Sequence, residues 1–325
     1  MSDTQDLARK IRTAFAPCRL GEWPTPLEEA PALGDSLGAE SLWVKREDCS
    51  SRRYGGNKVR CLEFLLAGAA ADVVFVTVGG TGSTHCLATA AHARALGRRA
   101  VLAQFPQPET DAACAVARAC AAQATVVRAR SRIGLPLAVV RAWALASRRG
   151  QPRWIPGGGA TPRGLIGHVL AALELATQLP GPPDAIVTPL GTGGTAAGLL
   201  LGIGALGWPT RVVGVGVAPT IVANRWRTAR LARRARRLLA RQGIPVPLPS
   251  SPVPVVLDGL GPGYGHPSEA GEAARRAAAA HGLILDPTYG AKAFAAVRSA
   301  VALRFLRVVF WDTFAWPPAD LERAQ

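Results

Sequence analysis

The sequence predicts an α/β protein: two open, mostly parallel twisted sheets with helices on both faces. Three observations carry this. Strand-like and helix-like stretches alternate along nearly the whole chain, as they do where helices form the crossovers of a parallel sheet. Twice, an apolar, β-branched run (residues 73–78 and 185–190) passes through a glycine loop straight into an apolar helix. Such continuous runs suit strands buried on both faces. At 325 residues and 49% apolar content, the chain can also fill two lobes rather than one core.

In chain order, residues 1–30 read as a lead-in ending at Trp23-Pro24-Thr25-Pro26-Leu27, where two prolines enforce an extended path. Ser41-Leu42-Trp43-Val44 is a short strand, followed by Lys45-Arg46-Glu47-Asp48 and then Tyr54-Gly55-Gly56-Asn57-Lys58-Val59-Arg60. A helix is expected from Lys58 to about Ala70. The first block comprises strand 73–78, the loop Gly79-Gly80-Thr81-Gly82-Ser83-Thr84 and a helix over 85–96 stopped by Gly97. Strand 100–105, helix 112–122, strand 125–128, helix 137–147 and strand 153–156 follow, running into Gly157-Gly158-Gly159. A long helix is expected from Thr161 to about Gln178. The second block repeats the logic, with strand 185–190, a glycine loop, helix 196–206 and strand 211–217. The arginine-rich helix Arg225–Arg241 precedes a proline-rich loop over 245–254. Gly261-Pro262-Gly263-Tyr264-Gly265 is a rigid turn, and Ser268 is the candidate N-cap of a helix over 268–281. Leu285-Asp286-Pro287-Thr288-Tyr289 leads into another helix, before a last strand over 306–311.

The formal net charge is +16, and half of it comes from the eight arginines of Arg225–Arg241, which have no acidic residue among them. Leu231, Ala235 and Leu238 fall at i, i+4 and i+7, so this segment reads as a solvated surface helix with a narrow apolar stripe. Only Trp226 is interleaved to stack on a base, which disfavours nucleic acid as a partner. Six cysteines show neither a CxxC nor metal-ligand spacing, so no metal is expected and the thiols are expected free in a cytoplasmic protein. The polar start of the chain lacks the apolar core of a signal peptide. No run approaches the ~20 apolar residues that a membrane span needs.

The chemistry rests on the loops. A glycine loop at a helix N-terminus offers several backbone N–H groups to an anion. Gly191, Thr192, Gly193, Gly194 and Thr195 add two hydroxyls, which makes this loop the better phosphate cradle. It is not a Walker loop, since no Gly-Lys-[Ser/Thr] follows. Nor is it the dinucleotide fingerprint, since Ala196 takes the third glycine position and no acid lies ~20 residues on. A phosphate without a nucleotide is therefore expected. The loop Gly79 to Thr84 suits a carboxylate. Ser83 there is an N-cap, a nucleophile or a proton relay, and His85 either orients it or packs locally. No G-x-S-x-G elbow is present, which disfavours serine-hydrolase chemistry. Lys58 is either a solvated charge or a desolvated amine able to bond a carbonyl carbon. Lysine, phosphate cradle and carboxylate cradle together describe a pyridoxal-phosphate enzyme acting on an amino acid, with the cofactor as electron sink.

These motifs give the chain a family resemblance. Trp43 to Asp48, Gly55-Gly56-Asn57-Lys58-Val59-Arg60, Gly191 to Thr195, Gly261 to Gly265 and Leu285 to Tyr289 stand in family order over nearly the whole chain. The sequence resembles the fold-type II (tryptophan synthase β-like) pyridoxal-phosphate enzymes, in the branch of 1-aminocyclopropane-1-carboxylate deaminase and D-cysteine desulfhydrase. The resemblance implies a large cofactor-binding domain over 1–60 and 163–325, a small domain over 61–162, a small amino acid as substrate, and a homodimer. It implies Lys58 as the Schiff-base lysine and α-proton base, Asn57 near the cofactor phosphate, and Gly191 to Thr195 as the phosphate loop. Ser83 matches the active-site serine, Tyr289 the tyrosine packed on the pyridine ring, and Tyr264 a tyrosine facing the substrate, with His85 on the same side. Thr313 matches a threonine that meets the ring nitrogen in desulfhydrase-like members.

The departures lie around the cofactor. Thr84 replaces the asparagine that bonds the ring hydroxyl, and Cys61 replaces a second lysine near the phosphate. Gly290 stands in place of the deaminase glutamate or the desulfhydrase threonine. Asp312-Thr313-Phe314-Ala315 stands for His-Thr-Gly-Gly, so Phe314 and Ala315 fill space that the family leaves open. Without the glutamate, β-elimination to a 2-oxo acid and ammonia is expected ahead of cyclopropane ring opening. A β-replacement or other biosynthetic enzyme on the same scaffold is the alternative. A catalytically degraded paralogue binding a partner, such as RNA through Arg225–Arg241, is the third reading.

Overall fold

The computed structural model describes residues 2–322. The first part of the chain comprises α1 (Ser2–Phe15), β1 (Leu27–Glu29), α2 (Pro31–Leu37), β2 (Ser41–Arg46) and α3 (Lys58–Leu65). Next come β3 (Val73–Gly80), α4 (Thr84–Ala95), β4 (Arg99–Phe105), α5 (Asp111–Gln123), β5 (Thr125–Arg128), α6 (Leu135–Ser147) and β6 (Gln151–Ile155). They are followed by α7 (Ile166–Gln178), β7 (Ala185–Leu190), α8 (Gly194–Leu206), β8 (Arg211–Gly216), α9 (Arg225–Arg241) and β9 (Val255–Asp258). The last elements are α10 (Glu269–Ala279), α11 (Gly290–Ala295), α12 (Val297–Ala302) and β10 (Arg307–Asp312).

Two sheets form. One runs β1-β2-β10-β7-β8-β9 and the other β5-β4-β3-β6. Among the described residues only β1 pairs antiparallel, against β2, and the other pairings are parallel. The α/β class and the doubly covered parallel sheets are as the alternation predicts. In each sheet the strand order reverses direction, at β3/β6 in one and at β7/β10 in the other. Crevices at the carboxyl ends of strands beside such reversals are where open α/β sheets take ligands.

Several boundaries differ from the sequence reading. The stretch read as a lead-in holds α1, whose Ile11 and Phe15 pack on Phe64 and α7, and the short β1. The helix from Lys58 stops at Leu65 instead of near Ala70, because the chain turns there and Gly68 takes a φ of +64°. The helix expected from Thr161 begins at Ile166; the Thr161 hydroxyl instead caps a turn by accepting from Gly164 N at 2.9 Å. In α9 the buried line is Thr228, Ala232, Ala235 and Leu239, with Leu231 and Leu238 on its flanks. Small residues on that line let the helix lie close on α8. Ser268 caps α10 as expected, accepting from Gly271 N.

A buried ionic network ties the lysine segment to the larger sheet. Arg60, 2% exposed, grips Glu47, 0% exposed, with bonds of 2.6 and 2.7 Å. It also donates to Glu174 of α7 at 2.8 and 3.1 Å. Lys45 fills its three donors on Glu174 Oε1, Gln178 Oε1 and Thr25 O. Burial pushes the Glu174 carboxyl up, but Arg60 and Lys45 together reverse this and hold it at about 2.

Removing one member of such a network strands its partner as an unpaired buried charge. Arg60→Met is expected to cost about 3–5 kcal/mol, read as a fall in the denaturant midpoint. Because the folded pKa of Glu174 is depressed, its contribution is present above the ordinary carboxyl value of 4.5 and is lost as pH falls towards about 2. Glu174→Gln is expected to flatten the acid side of the stability–pH curve across that window.

Candidate active site

Lys58 opens α3, and the approach to it is set by two glycines. A Cβ on Gly55 would stand 1.9 Å from Asp48 O. Gly56, at φ +95°, would bring one to 3.0 Å from Thr313 O. The lysine loop can therefore lie flat against the end of β10, where Asn57 N donates to Thr313 O at 3.2 Å. Val59 and Arg60 face the core, while Lys58 faces a pocket of about 370 Å³. Among the described residues its amine has no hydrogen bond or ion pair. Burial lowers its pKa below the usual lysine value, against a small opposing effect of Cys61.

The pocket lies at the carboxyl ends of β3, β6, β7 and β10. The loop after β7 supplies Gly191, Thr192, Gly193, Gly194 and Thr195, all lining the pocket at the N-terminus of α8. Gly193 has φ +86°, and a Cβ there would meet the Thr228 hydroxyl of α9 at 2.7 Å. A Cβ on Gly191 would meet nothing within 4 Å, so the loop is open on its pocket side. Asn57 Nδ2 donates to Thr195 Oγ1 at 2.8 Å, coupling the lysine loop to this cradle. An anion cradle at a helix N-terminus and an unpartnered, desolvated amine beside it fit the phosphate and the aldehyde of pyridoxal phosphate.

Across the pocket, Ser83 caps α4 and accepts from Cys86 N at 3.3 Å, and Thr84 begins the helix. Both line the pocket with Gly79 and Gly80, which gives a second set of helix-start N–H groups. His85 reaches the wall but bonds Thr77 rather than Ser83. The Thr77 hydroxyl donates to Ile155 O at 2.8 Å, so it accepts from His85 Nε2–H at 2.9 Å and leaves Nδ1 unprotonated. Burial, reinforced by Lys58, depresses the imidazole to about 3, so it is neutral.

Tyr264 and Tyr289 share a 2.6 Å hydrogen bond between their hydroxyls, with ring centroids 6.2 Å apart. Burial raises both phenols above their usual value, so the pair is protonated. Two anchors hold them. Asp286 accepts from the backbone N–H groups of Thr288, Tyr289 and Gly290 at 2.7–2.8 Å. Lys292, buried under the glycine turn, donates to Leu260 O and Gly263 O at 2.7 and 3.2 Å.

The four departures fall in different places. Thr84 and Phe314 line the pocket, as does the retained Thr313, and Phe314 packs edge-on against Trp316. Cys61 lies behind the lysine, its thiol on Lys58 O at 3.1 Å, and burial pushes that thiol to about 11. Gly290 begins α11, with its N–H taken by Asp286. Sequence reasoning missed Phe105, Arg132 and Leu135, which join the wall near Tyr264. It also missed the Gly157-Gly158 turn opposite Thr192, although that glycine run after a strand is the kind of signal that marked the other two loops.

The chain is similar to several known proteins. The model of the family described as pyridoxal-phosphate dependent enzyme matches residues 18–311. A Pyrococcus horikoshii protein, provisionally named a 1-aminocyclopropane-1-carboxylate deaminase, is 33% identical over 285 residues, covering 86% of this chain and 85% of its own. The D-cysteine desulfhydrase of Klebsiella pneumoniae is 32% identical, covering 87% and 88%. A crystal structure of an ACC deaminase homologue superposes with a TM-score of 0.79 at 30% identity, over 94% of both chains. The chain belongs to the pyridoxal-phosphate dependent enzymes of fold type II, with pyridoxal phosphate as its cofactor.

Proposed function

We propose that the protein is a lyase that removes ammonia from a small amino acid by α-proton abstraction and β-elimination, giving a 2-oxo acid. The observation that carries this reading is Lys58, an unpaired amine set between two anion cradles. When bound, pyridoxal phosphate supplies the electron sink for charge developed at Cα. Lys58 would hold its aldehyde carbon, and Asn57 with Gly191 to Thr195 would hold its phosphate. The Thr84 N–H and the hydroxyls of Ser83 and Thr84 would hold the substrate carboxylate, fixing the amino acid with its Cα–H turned towards Lys58 Nζ.

A lysine whose charged form is disfavoured by burial is suited to accept that proton at Nζ. The paired Tyr264 and Tyr289 keep one hydroxyl proton to donate beyond the pair, and so can protonate or position a leaving group. Gly290 offers no side chain to hold a ring nitrogen protonated, which favours elimination of a good leaving group over opening a carbon–carbon ring. Relatives named for both activities support the reaction class.

Borohydride reduction of the loaded protein followed by peptide mapping is expected to fix the cofactor on Lys58. Lys58→Ala is expected to lose that adduct and about 10²–10⁴-fold in turnover; an unchanged adduct in the variant overturns the assignment. In a panel of D- and L-amino acids, release of 2-oxo acid is expected from those with a leaving group at Cβ, such as cysteine and β-chloroalanine. 1-Aminocyclopropane-1-carboxylate is expected to survive. Incorporation of an added thiol into the product would instead identify β-replacement.

A further inference from the structure

Among the described residues, one charged side chain besides Lys58 lines the pocket: Arg132, in the loop between β5 and α6. Its guanidinium carbon lies 5.4 Å from the centre of the Phe105 ring and 5.8 Å from that of Tyr264. Those two rings are themselves 6.1 Å apart. The group therefore lies beside an aromatic pair at the rim of the pocket, exposed to solvent and within cation–π reach of both rings. Among the described residues Arg132 makes no ion pair, and its guanidinium makes no hydrogen bond. Among the described residues, no aspartate or glutamate lines the pocket. Lys58 and His85 both have their charged forms disfavoured by burial, so among the described residues Arg132 carries the one permanent charge on the wall. That charge is felt at the Tyr264 phenol, whose pKa it pulls down against the larger effect of burial.

On the reading given above, Lys58 takes the aldehyde, the loop after β7 the phosphate, and Ser83 with Thr84 the α-carboxylate. The wall of Phe105, Arg132, Leu135 and Tyr264 is left for the substrate's side chain. We propose that this side chain carries an oxyanion, a carboxylate or a phosphate, which pairs with the planar N–H fork of Arg132. Phosphate and carboxylate share the geometry that a guanidinium grips with two parallel hydrogen bonds. A β-phosphate ester suits the elimination directly. The Cα–H bond breaks, its electron pair forms the Cα–Cβ double bond, and phosphate leaves with the Cβ–O pair. Addition of one water then releases ammonia and leaves the 2-oxo acid.

The test uses the cofactor-loaded protein and measures equilibrium binding by absorbance titration, independently of turnover. Aspartate, glutamate and O-phosphoserine, in both enantiomers, are compared with asparagine, glutamine and serine. Each anionic ligand is expected to bind about tenfold tighter than its neutral counterpart. Arg132→Gln is expected to abolish that ratio while leaving the affinity for neutral ligands unchanged, and Arg132→Lys to restore part of it. Arg132→Glu is expected to favour ornithine and lysine over the anionic set. Equal binding of anionic and neutral ligands, or no binding of any anionic ligand, overturns the proposal. So does an equal loss for both sets in Arg132→Gln, since that would make Arg132 a general wall residue. A panel in which neutral substrates are eliminated but the anionic preference is missing sinks this inference alone. A panel that binds anions selectively yet releases no 2-oxo acid sinks the lyase reading alone.

Discussion

Arg60 holds the molecule's working parts together without touching the pocket. It stands two residues after Lys58 on the same helix, about 200° around the axis, so one side chain faces the core while the other faces the cavity. Its grip on Glu47 and Glu174 fixes the first turn of α3 against both the end of β2 and the long helix α7. The catalytic candidate thus inherits its position from a charge pair on the far side of the backbone. Such a buried arrangement is costly to assemble, and its value lies in geometry: every donor of Lys45 and most of Arg60 are satisfied in a single register.

Around the pocket the electrostatics have a consistent sense. Among the described residues the wall offers helix N-termini, hydroxyls, the neutral imidazole of His85, the Lys58 amine and the Arg132 guanidinium, and no carboxylates. His168, behind Thr195, is held neutral by burial as His85 is. Neutral histidines spare a buried lysine from like-charge repulsion, and they leave the fixed dipoles of α4 and α8 to set the local potential. The departures from the family pattern act on this setting unequally. Thr84 and Phe314 change the surface that a ligand meets, whereas Cys61 alters only what lies behind the lysine.

Much of this was legible in the sequence, because buried parallel strands and glycine loops leave strong local signatures. The two loops at the starts of α4 and α8 were found by their glycines alone, and Lys58 by its neighbours. What escaped depends on the path of the chain in space. Arg132 sits among Arg128, Arg130 and other charges, so in sequence it looks like any solvated arginine; only the turn of its loop over Phe105 and Tyr264 separates it from them. The pairing of His85 with Thr77 follows from adjacency across a strand and a helix that no local pattern encodes. Helix α1 did leave a trace, Leu7, Ile11 and Phe15 at i, i+4 and i+8, which the polar residues around it masked. Strand β9 was hidden by the prolines before it.

The strand order of the larger sheet bears on how the protein is made. Strand β10, near the end of the chain, lies between β2 and β7, pairing with both. The smaller sheet, by contrast, uses four strands that follow one another within residues 73–155. On a ribosome that sheet can be completed while a large part of the polypeptide is still unmade. The larger one keeps two unsatisfied strand edges until its missing partner arrives, and such late, non-local pairings are slow and exposed to misassociation. Since Thr313 follows β10 directly and lines the pocket, that part of the wall is in place only once the strand is inserted.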